Sequence, residues 1–194
     1  MSKIPLLLIV AGPNGSGKTT FARQYISGGG PGYLGADEIA LELSPAEPQT
    51  AALTAGRLFS RRLADAIESG QSLLVETTMS GLSLRRRIED ARDRGYRVEM
   101  LFVFVSNVDL SISRIAERVA KGGHDVPEAD ARRRFLRSMR NFWNIYRHLA
   151  ARWTLIYNGV GRFEQIATGG KDSMDVIDSR LLECFVEMIQ TPEV

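Results

Sequence analysis

One cysteine, Cys184, is all that the 194 residues contain. No disulfide can close within the chain, and this usage fits a reducing cytosol. Long apolar runs are also missing. The apolar stretch at residues 4–11 has the length of a core strand and falls far short of the roughly 20 residues that a membrane-crossing helix needs. It runs straight into glycines with no small-residue cleavage site, which argues against a signal peptide. Excess charge of one sign is absent too. Lys and Arg number 25 against 23 Asp and Glu, a net charge of +2, so bulk charge does not hold this chain on nucleic acid. Internal repeats and low-complexity segments are lacking. What remains is 44% hydrophobic and 25% charged, the make-up of one globular domain, residues 1–194, with a real core.

Along the chain, short apolar runs alternate with helical patterns. Residues 6–10 are continuously apolar, as in a strand buried on both faces. Residues 33–36, 72–75, 98–105 and 153–157 are further strand candidates, and 162–168 forms an edge strand in this reading. Helical patterns fall at 18–26, 52–69, 83–94 and 109–121. Val126-Pro127 then opens a long helix to about residue 152, and residues 174–190 form a closing helix. The alternation predicts a three-layer α/β fold with a mostly parallel, five-stranded sheet and a small helical lid at about residues 121–134.

The strongest motif is Gly12-Pro13-Asn14-Gly15-Ser16-Gly17-Lys18-Thr19, which meets G-x-x-x-x-G-K-[ST] at every fixed position, after an apolar strand and before a helix. Glycines let the backbone curl so that N–H groups point at phosphate oxygens, and the helix N-terminus adds partial positive charge. Lys18 is expected on the β- and γ-phosphates of ATP and the Thr19 hydroxyl on Mg²⁺. Thr20 is the next nucleotide-binding candidate.

Two acidic residues end strand candidates: Asp37 after 33–36 and Glu76 after 73–75. Ligands of open α/β sheets bind at such carboxyl ends. A phosphotransferase needs a carboxylate to take or orient the acceptor's proton, and acidic groups near Mg²⁺. Asp37 and Glu76 must share those tasks, although Asp37 could instead cap the following helix. Thr77 beside Glu76 is a substrate candidate. Seven arginines (114, 118, 132, 133, 134, 137 and 140) fall within 27 residues. Arg118 and one of Arg132 or Arg133, with Arg133 preferred, are the candidates for charge stabilisation on a transferred phosphoryl group, and Arg134, Arg137 and Arg140 are expected on a solvated face. Gly122-Gly123 offers a hinge, and His124 beside it is a further substrate-side candidate. Exposed aromatics are not interleaved with these arginines, which disfavours nucleic acid as a partner.

These residues resemble the zeta-toxin-like kinases. The resemblance rests on Ala11 through Thr20, on Gly35-Ala36-Asp37-Glu38-Ile39 with Gly35 where Asn is common, and on Val75-Glu76-Thr77-Thr78. It extends over Arg118, Gly122-Gly123-His124-Asp125-Val126-Pro127 and Arg132 through Phe142. Asn158-Gly159 is similar to the family's loop after the last parallel strand, which makes Asn158 a nucleotide-binding candidate. The resemblance implies Asp37 as general base, Glu76 as a substrate-binding carboxylate, Arg118 as a phosphate ligand, and a possible antitoxin partner. Toxins of this family phosphorylate UDP-N-acetylglucosamine at a sugar hydroxyl.

The expectation is an ATP- and Mg²⁺-dependent kinase acting on a small-molecule or sugar-nucleotide hydroxyl. A polynucleotide-end kinase, a P-loop NTPase switch and an inert nucleotide-binding module are the alternatives.

Overall fold

The computed structural model describes residues 4–27, 30–123, 125–159 and 162–191. Its elements are β1 (Leu6–Ala11), α1 (Lys18–Ile26), β2 (Gly32–Gly35), α2 (Ala36–Leu43), α3 (Ala52–Glu68), β3 (Leu73–Thr77), α4 (Ser83–Asp93) and β4 (Arg97–Phe104). These are followed by α5 (Val108–Ala120), α6 (Glu128–Asn144), β5 (Arg152–Asn158), β6 (Phe163–Gly169), β7 (Met174–Val176) and α7 (Ser179–Gln190).

The strand order is β2-β3-β1-β4-β5-β6-β7. The first five strands run parallel, and β6 and β7 extend the sheet antiparallel. The expected five-stranded sheet is therefore the parallel part of a seven-stranded one. β1 lies between β3 and β4, and the chain fills the sheet on one side of it before the other. This puts a topological switch point at the carboxyl end of β1, where open α/β sheets hold ligands.

Alternation along β1 divides the interior. Leu7, Ile9 and Ala11 face the larger core, closed by α2, α3, α4, α6 and α7. Leu8 and Val10 face a smaller core under α1, with Ala22 and Leu74. Burial of β1 on both faces is why its sequence shows no polar alternation. A third cluster joins Ile115 of α5 to Val126 and Ala131. No helix among the described residues is long and apolar enough to cross a membrane.

Two expected helices differ. The long helix from 126 stops at Asn144, Ile145 leaves helical geometry, and a 3₁₀ turn spans Tyr146–Leu149. The apolar stripe continues through Tyr146 and Leu149, so periodicity gives no sign of the break. Tertiary contacts decide it. The buried Tyr146 hydroxyl donates to Gly81 O at 2.7 Å, and burial pushes its phenol pKa up to about 12. Arg147 lies 3.9 Å from the Trp143 ring centroid. The closing helix begins at Ser179, not 174. Residues 174–176 pair with β6, Ile177 N donates to Ile166 O at 2.8 Å, and Asp178 caps α7 by accepting from Leu181 N at 2.9 Å.

Tyr146→Phe leaves the Gly81 carbonyl without this donor inside the fold. It is expected to lower unfolding free energy by about 1–2 kcal/mol, read from the urea midpoint at unchanged slope. An unmoved midpoint would show that the hydroxyl has no part in ending α6.

Candidate functional site

The glycine-rich loop leaves β1 and enters α1 at the switch point. Gly15 and Gly17 show why glycine is needed. Both have φ in the left-handed region, 74° and 93°. A Cβ on Gly15 would strike the Ser111 carbonyl, and one on Gly17 the Asn158 amide. The same neighbours grip the loop. Ser111 Oγ donates to Asn14 O, and Asn158 Nδ2 donates to Ser16 O at 2.9 Å. Arg114 in turn holds the end of β5, donating to Asn158 O at 2.8 Å and Gly159 O at 2.6 Å. The loop is thus fixed by α5 and β5.

Inside the loop, groups are left for a ligand. Gly17 is the cap residue of α1 and carries no side chain, so the first helical N–H groups have no intrahelical acceptor. Lys18 is buried, and its hydrogen bond to Pro13 O is long, 3.5 Å. Among the described residues, the buried side-chain polar atoms without a hydrogen-bond partner are Asn14 Oδ1, Ser16 Oγ, Asn158 Oδ1 and Arg118 Nε and Nη2. Native folds carry few such atoms. Here Ser16, Asn14 and Asn158 belong to or touch the loop, which fits a cradle for phosphate. Thr20 is exposed in the first turn of α1.

Glu76 lies at the carboxyl end of β3, paired in register with Val10 on one side and Gly35 on the other. It is only 7% exposed. Thr19 Oγ1 donates to Glu76 Oε1 at 2.6 Å, and Tyr33 Oη donates to Glu76 Oε2 at 2.6 Å. Burial, and then the Glu76 charge, push the Tyr33 phenol pKa well above its ordinary value, so the hydroxyl stays a donor. The carboxylate and hydroxyl of Glu76 and Thr19 are hard oxygen ligands of the type Mg²⁺ takes beside nucleotide phosphates. Asp37 sits at the second position of α2, exposed and without a side-chain cap bond, while Gly35 is the cap residue. The capping role weighed for Asp37 is therefore absent. Gly35 pairs with Glu76, so Asp37, two residues past Gly35, follows the strand end beside that of Glu76.

The segment after β3 is pinned by α6. Thr77 Oγ1 accepts from Met79 N at 3.1 Å, so its hydroxyl serves a local turn. Met79 has φ 56°, a left-handed conformation in a buried non-glycine residue. Asn141 Nδ2 donates to Met79 O at 3.0 Å, and Ser138 Oγ to Thr78 O.

The arginines separate by environment. Arg118 is half-buried with two buried nitrogens free of acceptors. Arg133 is 58% exposed and pairs with Asp130 at 2.7 Å. Arg132 pairs with Glu128 and Asp109, and Arg134 with Asp130. Arg137 is exposed. Arg140, expected on a solvated face, instead donates from Nε to Ile189 O at 2.9 Å, near the α7 C-terminus. Gly122 and Gly123 end α5 in a Schellman pattern, donating to Val119 O and Arg118 O, both at 2.9 Å. His124 lies outside the described residues.

Sequence reasoning missed Tyr33, Ser111, Ser138 and Asn141 and did not see Arg114 as the clamp on 158–159. Each acts across a long sequence separation, and no local pattern marks it.

A mostly parallel sheet carrying this loop at its switch point defines a P-loop phosphotransferase fold. The chain belongs to the zeta toxin family, whose profile matches residues 1–171. It is 31% identical over 121 residues to an uncharacterized protein of Haemophilus influenzae, covering 62% of this chain and 86% of that protein. Its fold is similar to a chain of the AvrRxo1-ORF1:AvrRxo1-ORF2 complex crystallised with ATP, at TM-score 0.78 and 17% identity over 98% of this chain. The chain spans 66% of the length of that neighbour. It is also similar to a chain of the PezAT toxin–antitoxin system of Streptococcus pneumoniae, at TM-score 0.65 and 17% identity over 97% of this chain and 84% of that one.

Lys18→Ala removes a cation that hardly binds the protein itself. It is expected to weaken nucleoside triphosphate binding by about 10- to 100-fold while leaving the far-UV spectrum and melting temperature near wild type. Unchanged affinity by calorimetry in a folded variant would remove Lys18 from the phosphate site.

Proposed function

We propose that this protein is an ATP-dependent kinase that transfers the γ-phosphoryl group to a hydroxyl of a small molecule or sugar nucleotide. One observation carries the reading. A part-buried hydrogen bond from Thr19 to Glu76 ties the first turn of α1 to the end of β3, and the exposed Asp37 follows the end of the neighbouring strand β2. The family assignment and the ATP named for one structural neighbour point the same way.

In this reading the loop N–H groups, Ser16 and Lys18 bind the phosphates, with Asn158 at the loop's edge. Thr19 and Glu76 would hold Mg²⁺, which when bound supplies positive charge against the phosphate oxygens. Asp37 takes the acceptor's hydroxyl proton as the acceptor oxygen bonds to the γ-phosphorus and the bond to the β,γ-bridging oxygen breaks. Both oxygens of Glu76 are engaged within the protein, so we assign it to the metal side and leave the acceptor to Asp37. Arg118 offers buried N–H donors to the transferred group. Arg133, exposed and paired with Asp130, is the weaker candidate. An antitoxin-type protein partner accompanies the reading, in line with the toxin–antitoxin description of the PezAT neighbour.

A screen of candidate acceptors with radiolabelled ATP tests the activity, with UDP-N-acetylglucosamine as the first acceptor and oligonucleotide 5′ ends as the rival. Label moving only to oligonucleotides would replace this reading with a polynucleotide-end kinase. With the acceptor in hand, Asp37→Asn should retain ATP binding and lose about 10²–10⁴ in turnover. Turnover near wild type would leave Asp37 without a catalytic role.

Arg118→Ala should lower kcat more than it weakens ground-state ATP binding, because its contact tightens in the transition state. Arg137→Ala on the exposed face should do neither. Equal, small effects from both would mean that Arg118 serves the fold alone.

A further inference from the structure

We propose that Tyr33 is a positioning residue for the metal side of the site: its hydroxyl, bonded to Glu76 Oε2, fixes the carboxylate in the rotamer that presents Oε1 to Thr19, and Gly35 is small so that the Tyr33 ring can lie there. The inference rests on the kinase reading above and adds a residue to it.

The geometry has three parts. First, Thr19 and Tyr33 divide Glu76 between them, one oxygen each at 2.6 Å. A glutamate has three side-chain torsions, and a hydrogen bond to only one oxygen leaves the carboxylate free to swing about the other. Two hydroxyls on opposite oxygens remove that freedom. Second, Tyr33 is itself held. It belongs to β2, whose Tyr33 and Gly35 pair in register with Leu74 and Glu76 of β3, and its ring packs against the smaller core under α1. The hydroxyl is therefore delivered by the sheet and not by a loop. Third, a Cβ built on Gly35 would stand 2.7 Å from Tyr33 Oη and 3.2 Å from its Cζ. Gly35 has φ −130°, an extended backbone open to any residue. A side chain at 35 would thus have to push the Tyr33 hydroxyl aside, so glycine there serves the space the ring fills and not the backbone.

A residue that orients a metal ligand typically changes metal affinity by about 10–100-fold when its bond is removed. Tyr33→Phe keeps the ring and deletes the bond. Binding of a non-hydrolysable ATP analogue, followed by calorimetry over a series of Mg²⁺ concentrations, reads the effect without turnover. The expected result is an Mg²⁺ requirement raised about 10-fold, with analogue affinity in EDTA unchanged and the melting temperature lowered, because the buried carboxylate loses one donor. Gly35→Ala should raise the Mg²⁺ requirement in the same way by displacing the hydroxyl, and in the Tyr33→Phe background it should raise it little further. An Mg²⁺ requirement equal to wild type in folded Tyr33→Phe overturns the proposal. So does an equal loss of affinity with and without Mg²⁺, which would mark a purely structural tyrosine. Wild-type protein whose analogue binding ignores Mg²⁺ altogether would overturn the kinase reading, and this inference with it.

Discussion

A carboxylate buried to 7% exposure has to find partners inside the protein, and in this fold the partners of Glu76 organise the site. Withdrawing an ion from water costs several kcal/mol even after the protein relaxes. Here the cost is offset by two short O–H donors, one on each oxygen. They come from different elements, Thr19 from the first turn of α1 and Tyr33 from β2. Only the strand order β2-β3-β1 brings those two elements to either side of the end of β3. The parallel register that places Glu76 beside Val10 and Gly35 is therefore what lets a charged side chain end a buried strand.

The phosphate loop is held from the other side of the switch point by different physics. Among the described residues no charge pair is involved there. Ser111 and Asn158 bind loop carbonyls, Arg114 binds the carbonyls of Asn158 and Gly159, and two loop glycines lie too close to their neighbours for any Cβ. These bonds fix the loop's backbone at Asn14 and Ser16. Donors preorganised in this way need no rearrangement when charge develops on the ligand.

The phosphate loop was fully legible in the sequence because its chemistry is local: eight consecutive residues carry the glycines, the lysine and the hydroxyl. The parallel strands were legible from apolar runs, since burial on both faces leaves no room for polar residues. The ends of elements were less so. Nothing in the stripe through Phe142, Tyr146 and Leu149 shows that Tyr146 will bond Gly81, 65 residues away, and stop α6. Nothing in residues 174–176 shows that their backbone pairs with β6 before Asp178 starts a helix. Glu76 stands out in the sequence as a candidate at a strand end, but its bond to Tyr33 spans 43 residues and needs the sheet order to be foreseen.

The packing of α5 and α6 limits which segments around the loop can move. α6 carries Phe135, Met139 and Phe142, each at most 2% exposed, into the larger core, and its Ser138 and Asn141 pin the strained turn at Met79. Displacing this helix would open the core, so residues 128–134, though counted with the lid on sequence grounds, are anchored with it. α5 is anchored as well, through Ser111 and Arg114 to the loop and the end of β5. Arg118 stands in the last turn of that same helix. Between the two helices, Gly123 packs on Arg118 and Val126 on Ile115. This small satellite cluster is separate from the main core, so opening it exposes little apolar surface.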